Sequence, residues 1–400
     1  MAAGNRRAAA WEAPAMKPIA LLSCLLLGLV ASAPARAAPL GAEAARPLYD
    51  LQLPAPDTAR PQSEGEKKLG MTEGRVLPRR EALQPSLDTA LPDYVAKPKG
   101  SLKGRYKAAV SDVLPGQVKL WVAAFEQRYP GVKIDIVPPY AGSLGAKELV
   151  KQNLDFVFVS RELRPDDVKE FHAKFGYDPL SVPVSGGSYR HYGFLDAVGF
   201  VVNRDNPLDK ISYAQLDAIL STTRVRGGAA ITTWGQLGLT GEWADKPIHV
   251  YAIKPWNGFE EFIRQRVLSL PGQRGEWRTD LNWAEVVFPI AGSVAKDRYA
   301  LGYTGMAYVD APVKTLAVAT APEGPFYPPS YDAVATASYP LSRLIYFNVN
   351  KAPGKPLPPA IEEFLKFVLS RQGQALVLQE GVFIPLRGFQ TTTARAMLAP

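Results

Sequence analysis

The stretch Phe125-Glu126-Gln127-Arg128-Tyr129-Pro130-Gly131-Val132-Lys133-Ile134-Asp135-Ile136-Val137 decides the fold. Upstream, Val118, Leu120-Trp121, Ala124-Phe125 and Tyr129 recur at helical spacing, and Pro130-Gly131 stops that helix. From Val132 to Val137 apolar and polar residues alternate, the period of a strand with one face buried. Moving outward, the pattern predicts a helix over Leu144–Asn153, an apolar strand Phe156–Val159 and a charged helix Asp166–Lys174. Further on come a strand Ala197–Val202, a helix Tyr213–Leu220 capped by Ser212, a strand Ile248–Ile253 and a helix Phe259–Leu268. Strands at Leu301-Gly302-Tyr303 and Leu344–Val349 follow. An amphipathic helix Pro359–Ser370 comes next, with Ile361, Phe364-Leu365 and Val368-Leu369 inward, and Gln374–Gln379 adds a last turn before Gly381. Helices alternating with strands across short turns indicate an α/β fold with a largely parallel sheet.

The chain has 400 residues, which at ~150 residues per domain means two or three folding units or one bilobal body. With 47% apolar and 21% charged residues it can bury a sizeable core, so wholesale disorder is excluded. One cysteine excludes a disulfide framework and a cysteine zinc site, and three histidines leave little for a metal cluster. The net charge of +8 favours anionic ligands or envelope surfaces. The basic residues are scattered among acids without aromatic interleaving, so nucleic acid is not an expected partner. Ala141-Gly142-Ser143-Leu144-Gly145 has the outline of a nucleophile elbow, but it starts on Ala and follows two prolines. A triad would also need His172, His191 or His249 brought to it by the fold. No HExxH, CxxC, Walker loop or GxGxxG is present. Asp166-Asp167 and Glu260-Glu261 sit at helix starts, where they suit the helix dipole better than acid/base work. Neither bond chemistry nor a metal or cofactor is expected.

Ile19–Ala31 is a thirteen-residue apolar run preceded by Lys17 and followed by the small-x-small pattern Ala35-Arg36-Ala37. It is too short to span a bilayer comfortably and reads as a secretory signal, residues 1–37, with the start at Met1 or Met16. Cys24 lies mid-run, not at its end, which argues against lipidation. Cleavage near Ala37 leaves a cysteine-free chain, periplasmic or secreted. Residues 38–104, with nine prolines between Pro39 and Pro98, read as a linker or wrapped extension whose segments Pro47-Leu48-Tyr49 and Tyr94-Val95-Ala96 can dock onto the body.

In this order the pieces resemble the phosphate-type periplasmic solute-binding proteins, the receptor components of ABC importers. The matching stretches are Ser111-Asp112-Val113-Leu114, Phe125–Ile136, Ala141-Gly142-Ser143, Asp155–Leu163 and Asn206-Pro207-Leu208. They continue with Ala300–Tyr308, Tyr339–Arg343, Asn350–Leu357 and Leu369–Pro385. The resemblance spans about residues 105–388 and implies a two-lobed periplasmic-binding-protein (type II) fold with a mixed sheet in each lobe and a hinge between. Lobe one would take 105–200 and 338–388, and lobe two 201–337, leaving 389–400 as a tail. It further implies a monomer that closes on a small oxyanion, phosphate first, and presents it to a permease in the inner membrane.

In such a cleft, helix N-termini offer unpaired N–H groups and about half a positive charge to an anion, with no metal needed. Three helix starts fit that role: Ser111-Asp112-Val113, Gly142-Ser143 and Asn257-Gly258. Each also reads as an ordinary N-cap. The resemblance adds Ser160 and Arg161 at a strand end and Lys254 in lobe two. The departures are informative. Many phosphate receptors carry threonine where Val113 stands, and the best-known ones carry aspartate where Arg161 stands. Their lobe-two loop has a guanidinium and hydroxyls where this chain has Ile253-Lys254-Pro255-Trp256-Asn257-Gly258-Phe259. An aspartate accepts a hydrogen bond only from a protonated oxyanion, whereas Arg161 favours a fully ionised one and relaxes discrimination against sulfate. The competing reading of Arg161 is a solvent-facing partner of Asp166. Trp256 either stacks on a ligand or packs between helices. A second reading of the whole chain is a family member that no longer transports and acts as an envelope sensor or structural binding module.

Overall fold

The computed structural model describes residues 49–52, 82–85, 87–111, 113–137, 142–189, 195–255, 257–309 and 311–399. The chain divides into two units, residues 1–46 and 47–400. The signal reading of residues 1–37 falls outside the described residues, as do Asp112, His191 and Trp256.

The second unit is built on two five-stranded sheets. The first contains β1 (Gly104–Val110), β2 (Val132–Ile136), β3 (Phe156–Val159) and β4 (Leu180–Gly186). The second contains β5 (Val198–Asn203), β6 (His249–Ile253), β7 (Asn282–Ala284), β8 (Ala300–Gly305) and β9 (Val313–Thr315). A late strand, β10 (Leu344–Val349), returns to the first sheet. The order is β2-β1-β3-β10-β4 in the first and β7-β6-β8-β5-β9 in the second. In each, four strands run in one direction and one is reversed, β10 in the first and β5 in the second, so both sheets are mixed.

Helix α1 (Pro115–Arg128) starts on a proline, whose missing N–H costs nothing at that position. It buries Val118, Trp121 and Phe125 against β1 and β3, and Trp121 Nε1 donates to the Gly373 carbonyl at 2.8 Å. Phe125, Phe156, Phe158, Phe347 and Phe364 form the aromatic centre of this lobe, with Phe156 stacked on Phe347 at 4.6 Å. Helices α2 (Gly142–Val150) and α3 (Pro165–Phe175) cover a further face of the sheet through Ala146, Leu149 and Phe171. In lobe two, Ser212 caps α4 (Tyr213–Leu220) by accepting from Gln215 N, as the sequence predicts. Helix α5 (Gly258–Ile263) runs on into a wider π turn, Arg264–Leu268. Helices α6 (Ile290–Lys296) and α7 (Tyr331–Ala335) complete that lobe. Helices α8 (Pro359–Val368), α9 (Arg371–Glu380) and α10 (Gly388–Ala396) return to the first.

Among the described residues the lobes meet at two adjacent places, residues 187–189 with 195–197, and Tyr339–Arg343. Gly187 N donates to Arg343 O at 2.8 Å, and Tyr339 Oη donates to Val198 O at 2.8 Å. A Cβ on Gly187 would lie 2.4 Å from Leu195 O of the same segment and 3.1 Å from Arg343 Cβ of the other, so only glycine fits where they pack. The expected boundaries at 200/201 and 337/338 move outward to about 196 and 342. The reason is that all of β5 pairs in the second sheet and the apolar cluster of lobe two runs from Ala197 to Leu341. The predicted tail is instead α10, whose Thr391 and Ala394 are fully buried. Of the extension, residues 87–98 wrap lobe one. Arg371 donates to the carbonyls of Thr89 and Leu91, Arg387 pairs with Asp88, and Tyr94 docks against Phe367.

Candidate functional site

Parallel strands end at a common edge, and loops leaving that edge are where α/β sheets bind ligands. Ser111 follows β1, Ser160 follows β3, and α2 opens at Gly142 after β2. The fold therefore brings three of the predicted segments to one edge of the first sheet. Ser111 is buried. Its N–H donates to Phe158 O at 3.0 Å, and its hydroxyl oxygen accepts from Ser160 N at 3.4 Å. At the start of α2 the backbone of Gly142 and Ser143 is helical. Val113 packs against the apolar core of lobe one, so core packing accounts for its missing hydroxyl.

Arg161 is buried, with 8% of its surface exposed, so it is not the solvent-facing partner of Asp166. Its Nη1 donates to Glu162 O at 2.7 Å. Burial lowers its pKa and Arg164 adds to that, while Asp167, Glu261 and Glu162 act to hold it up. Glu261 lies on α5, so this electrostatic neighbourhood spans both lobes. For Glu261 itself burial is the largest influence and acts upward, but the hydrogen bonds from Arg274, at 3.0 and 3.1 Å, the Arg274 charge, a hydrogen bond from Gln265 and the charge of Arg164 together leave the carboxyl below its ordinary value. The lobes are tied directly as well. Glu162, in lobe one, accepts from Tyr346 Oη at 2.7 Å and pairs with Arg266 of lobe two.

The lobe-two candidates are placed differently. Asn257 Oδ1 accepts from Phe259 N at 2.9 Å, so its side chain caps α5. A Cβ on Gly258 would meet nothing within 4 Å, so no crowding within the protein demands glycine there. Half-exposed Lys254 has its ammonium on Glu285, which matches its charge. Glu261, which the sequence reading took for a helix-dipole residue, and Glu162, Arg164, Arg266 and Arg343, which it did not propose for the site, lie around Arg161 and between the lobes. Arg343 leaves the second crossing segment with only 7% of its surface exposed and lies over the rings of Phe259 at 5.3 Å and Phe262 at 5.1 Å. Burial pushes its pKa down to about 10, partly offset by Asp196 and Glu162. No local pattern marks these residues, because each acts on a partner at least 80 residues away in the chain.

Residues 96–372 match the model of the PBP superfamily domain. The chain is 34% identical over 303 residues to the phosphate-binding protein PstS of Pseudomonas aeruginosa, covering 75% of this chain and 88% of that one. It is 25% identical over 274 residues to the protein SphX of Synechococcus elongatus, covering 68% of this chain and 74% of that one. Among solved structures, PstS of Borrelia burgdorferi superposes with a TM-score of 0.50 at 15% identity. That match covers 71% of this chain and all of the other, a likeness of fold. Two mixed sheets joined by paired crossings, with serines and buried arginines at the strand ends, thus accompany a family match over most of the described body, and the chain belongs to the PBP superfamily, as a relative of the phosphate-binding protein PstS.

Proposed function

We propose that this chain is a periplasmic substrate-binding protein that takes a small oxyanion, phosphate first, into the cleft between its lobes. It then delivers the anion to an ABC-type permease in the inner membrane. The observation that carries this reading is the edge of the first sheet, where buried Ser111, Ser160 and buried Arg161 adjoin, in a chain similar to PstS. Serine hydroxyls, strand-end N–H groups and a guanidinium are all donors, which suits an anion and needs no metal. Ligand binding is read as closing the lobes about the two crossing segments, and the closed monomer is the form a permease recognises. The relatives are binding proteins, and no bond chemistry is assigned to this chain.

Titration calorimetry with phosphate and with sulfate tests the reading. Phosphate binds, with a discrimination against sulfate smaller than about a thousandfold (~4 kcal/mol), because Arg161 stands where an acceptor would reject a fully ionised anion. A larger preference contradicts the argument from Arg161. At a thousand times Kd, ligand adds about 4 kcal/mol to stability, visible as a rise in Tm. The second reading, an envelope sensor or structural binding module, draws on the Glu162–Arg266 pair, which already ties the lobes through the protein's own side chains. Absence of heat and of any Tm shift across a panel of anions would favour it.

A further inference from the structure

The lobe-two loop has no guanidinium, yet a guanidinium reaches the same helix from elsewhere in the chain. We propose that Arg343 is an anion-binding residue: carried on the second crossing segment, it forms with Arg161 a two-pronged clamp for a tetrahedral oxyanion with two ionised oxygens. This deepens the functional reading above and rests on it.

Three observations support the assignment. The first is an unmet hydrogen-bond donor. Arg343 is more than nine-tenths buried, and its Nε finds no hydrogen-bond partner among the described residues. A buried donor of a charged group left unmade costs about 1–3 kcal/mol or more, so it is tolerated where a partner arrives later. The same crossing segments carry the buried hydroxyls of Ser188 and Ser342, which also find no partner among the described residues.

The second is placement. The Arg343 main chain is held by Gly187 N, and its side chain lies between the crossing and α5, flanked by Phe259 and Phe262. Aromatic flanks hold the planar guanidinium and exclude water, which strengthens any charge–charge contact made there. Coming from the crossing and touching the lobe-two helix, Arg343 sits where hinge closure would change its surroundings most.

The third is charge. Arg343 and Arg161 are close enough to repel one another. Of the acids near them, Glu162 is paired with Arg266 and Tyr346 and Glu261 with Arg274, while Asp167 and Asp196 offset only part of the charge of Arg161 and Arg343. Two buried like charges are costly unless a counter-charge joins them. Two planar forks present parallel N–H pairs to oxygens bearing no proton, so phosphate dianion and sulfate meet the same chemistry.

The test is calorimetry with inorganic phosphate on the full chain and on Arg343→Met and Arg343→Lys, with Tm measured for each ligand-free protein. The expected result is about a hundredfold weaker binding for Arg343→Met, with its ligand-free Tm equal to or above the parent's. Arg343→Lys, which keeps the charge and loses the fork, weakens binding about tenfold. Binding by Arg343→Met within threefold of the parent overturns the assignment and leaves the functional reading standing. A parent protein that binds no phosphate overturns both. Should the variants not fold, crystals of the parent grown with phosphate decide the matter. An anion within hydrogen-bond distance of Arg343 Nε supports the clamp, and one held elsewhere, with Arg343 on Asp196, refutes it.

Discussion

At the scale of single residues, the proposed site depends on separating side chains that hold the fold from those that can hold a ligand. The Ser111 hydroxyl makes only long contacts, 3.4 Å to both Phe158 O and Ser160 N, so it contributes little to stability. Lys254 is already matched by Glu285 at a half-exposed position, where ion pairs are worth little. Ser111→Ala is therefore expected to weaken phosphate binding about tenfold with Tm nearly unchanged, while Lys254→Ala leaves the affinity within about twofold. Calorimetry and thermal unfolding on both variants check this pair. Equal losses in the two would show that the edge of the first sheet is not the site. Ser111 was proposed from the sequence as a helix start, and Ser160 and Arg161 through the family resemblance at the end of the apolar strand Phe156–Val159. Arg343 was not, since its burial comes from rings in another lobe.

Among the elements, the wrapped extension shows how much a segment rich in proline depends on the body for order. It has no regular secondary structure over residues 87–98, yet it is tied to α1, α8 and α9 by side chains. Tyr94 Oη lies 2.8 Å from Tyr129 Oη and donates to buried Glu363 at 2.8 Å. Burial, followed by those hydrogen bonds, pushes the Tyr94 hydroxyl far above an ordinary phenol, so it remains a donor at any working pH. Tyr94→Phe keeps the edge contact with Phe367 and removes that donor from Glu363, leaving Lys97 at 3.5 Å. The expected loss is about 1–3 kcal/mol, read as a lower urea midpoint with an unchanged m value. An unchanged midpoint would mean that the extension contributes no stability. Long helices and apolar strands were readable at this scale. The seven-residue strands β1 and β4 and the three-residue strands β7 and β9 were not, the last two because three residues carry too little pattern for a period to emerge.

For the whole molecule, charge across the cleft governs how the two lobes respond to acid. Glu261 faces Arg274 and Gln265 in its own lobe and Arg164 from the other, and together they hold its folded pKa below the ordinary 4.5. A carboxylate whose pKa is lowered by folding stabilises the native state fully above its unfolded value. That stability is lost as pH falls through the lower folded value. Urea unfolding of the parent is thus expected to weaken from about pH 5 downward, and Glu261→Gln to show a shallower fall over the same range. Identical slopes would remove Glu261 from the account.

The order of helices and strands along the chain determines the α/β class and, with the matching stretches, the family, since period, turn residues and apolar runs are local properties. The one reversed strand in each sheet is instead set by pairing. The pairing of Glu162 with Arg266, the capture of Lys254 by Glu285, the docking of residues 87–98 and the burial of Arg343 belong to the tertiary structure alone. Each joins segments far apart in sequence, and a side chain's charge has consequences only once folding decides which partners and how much water remain beside it.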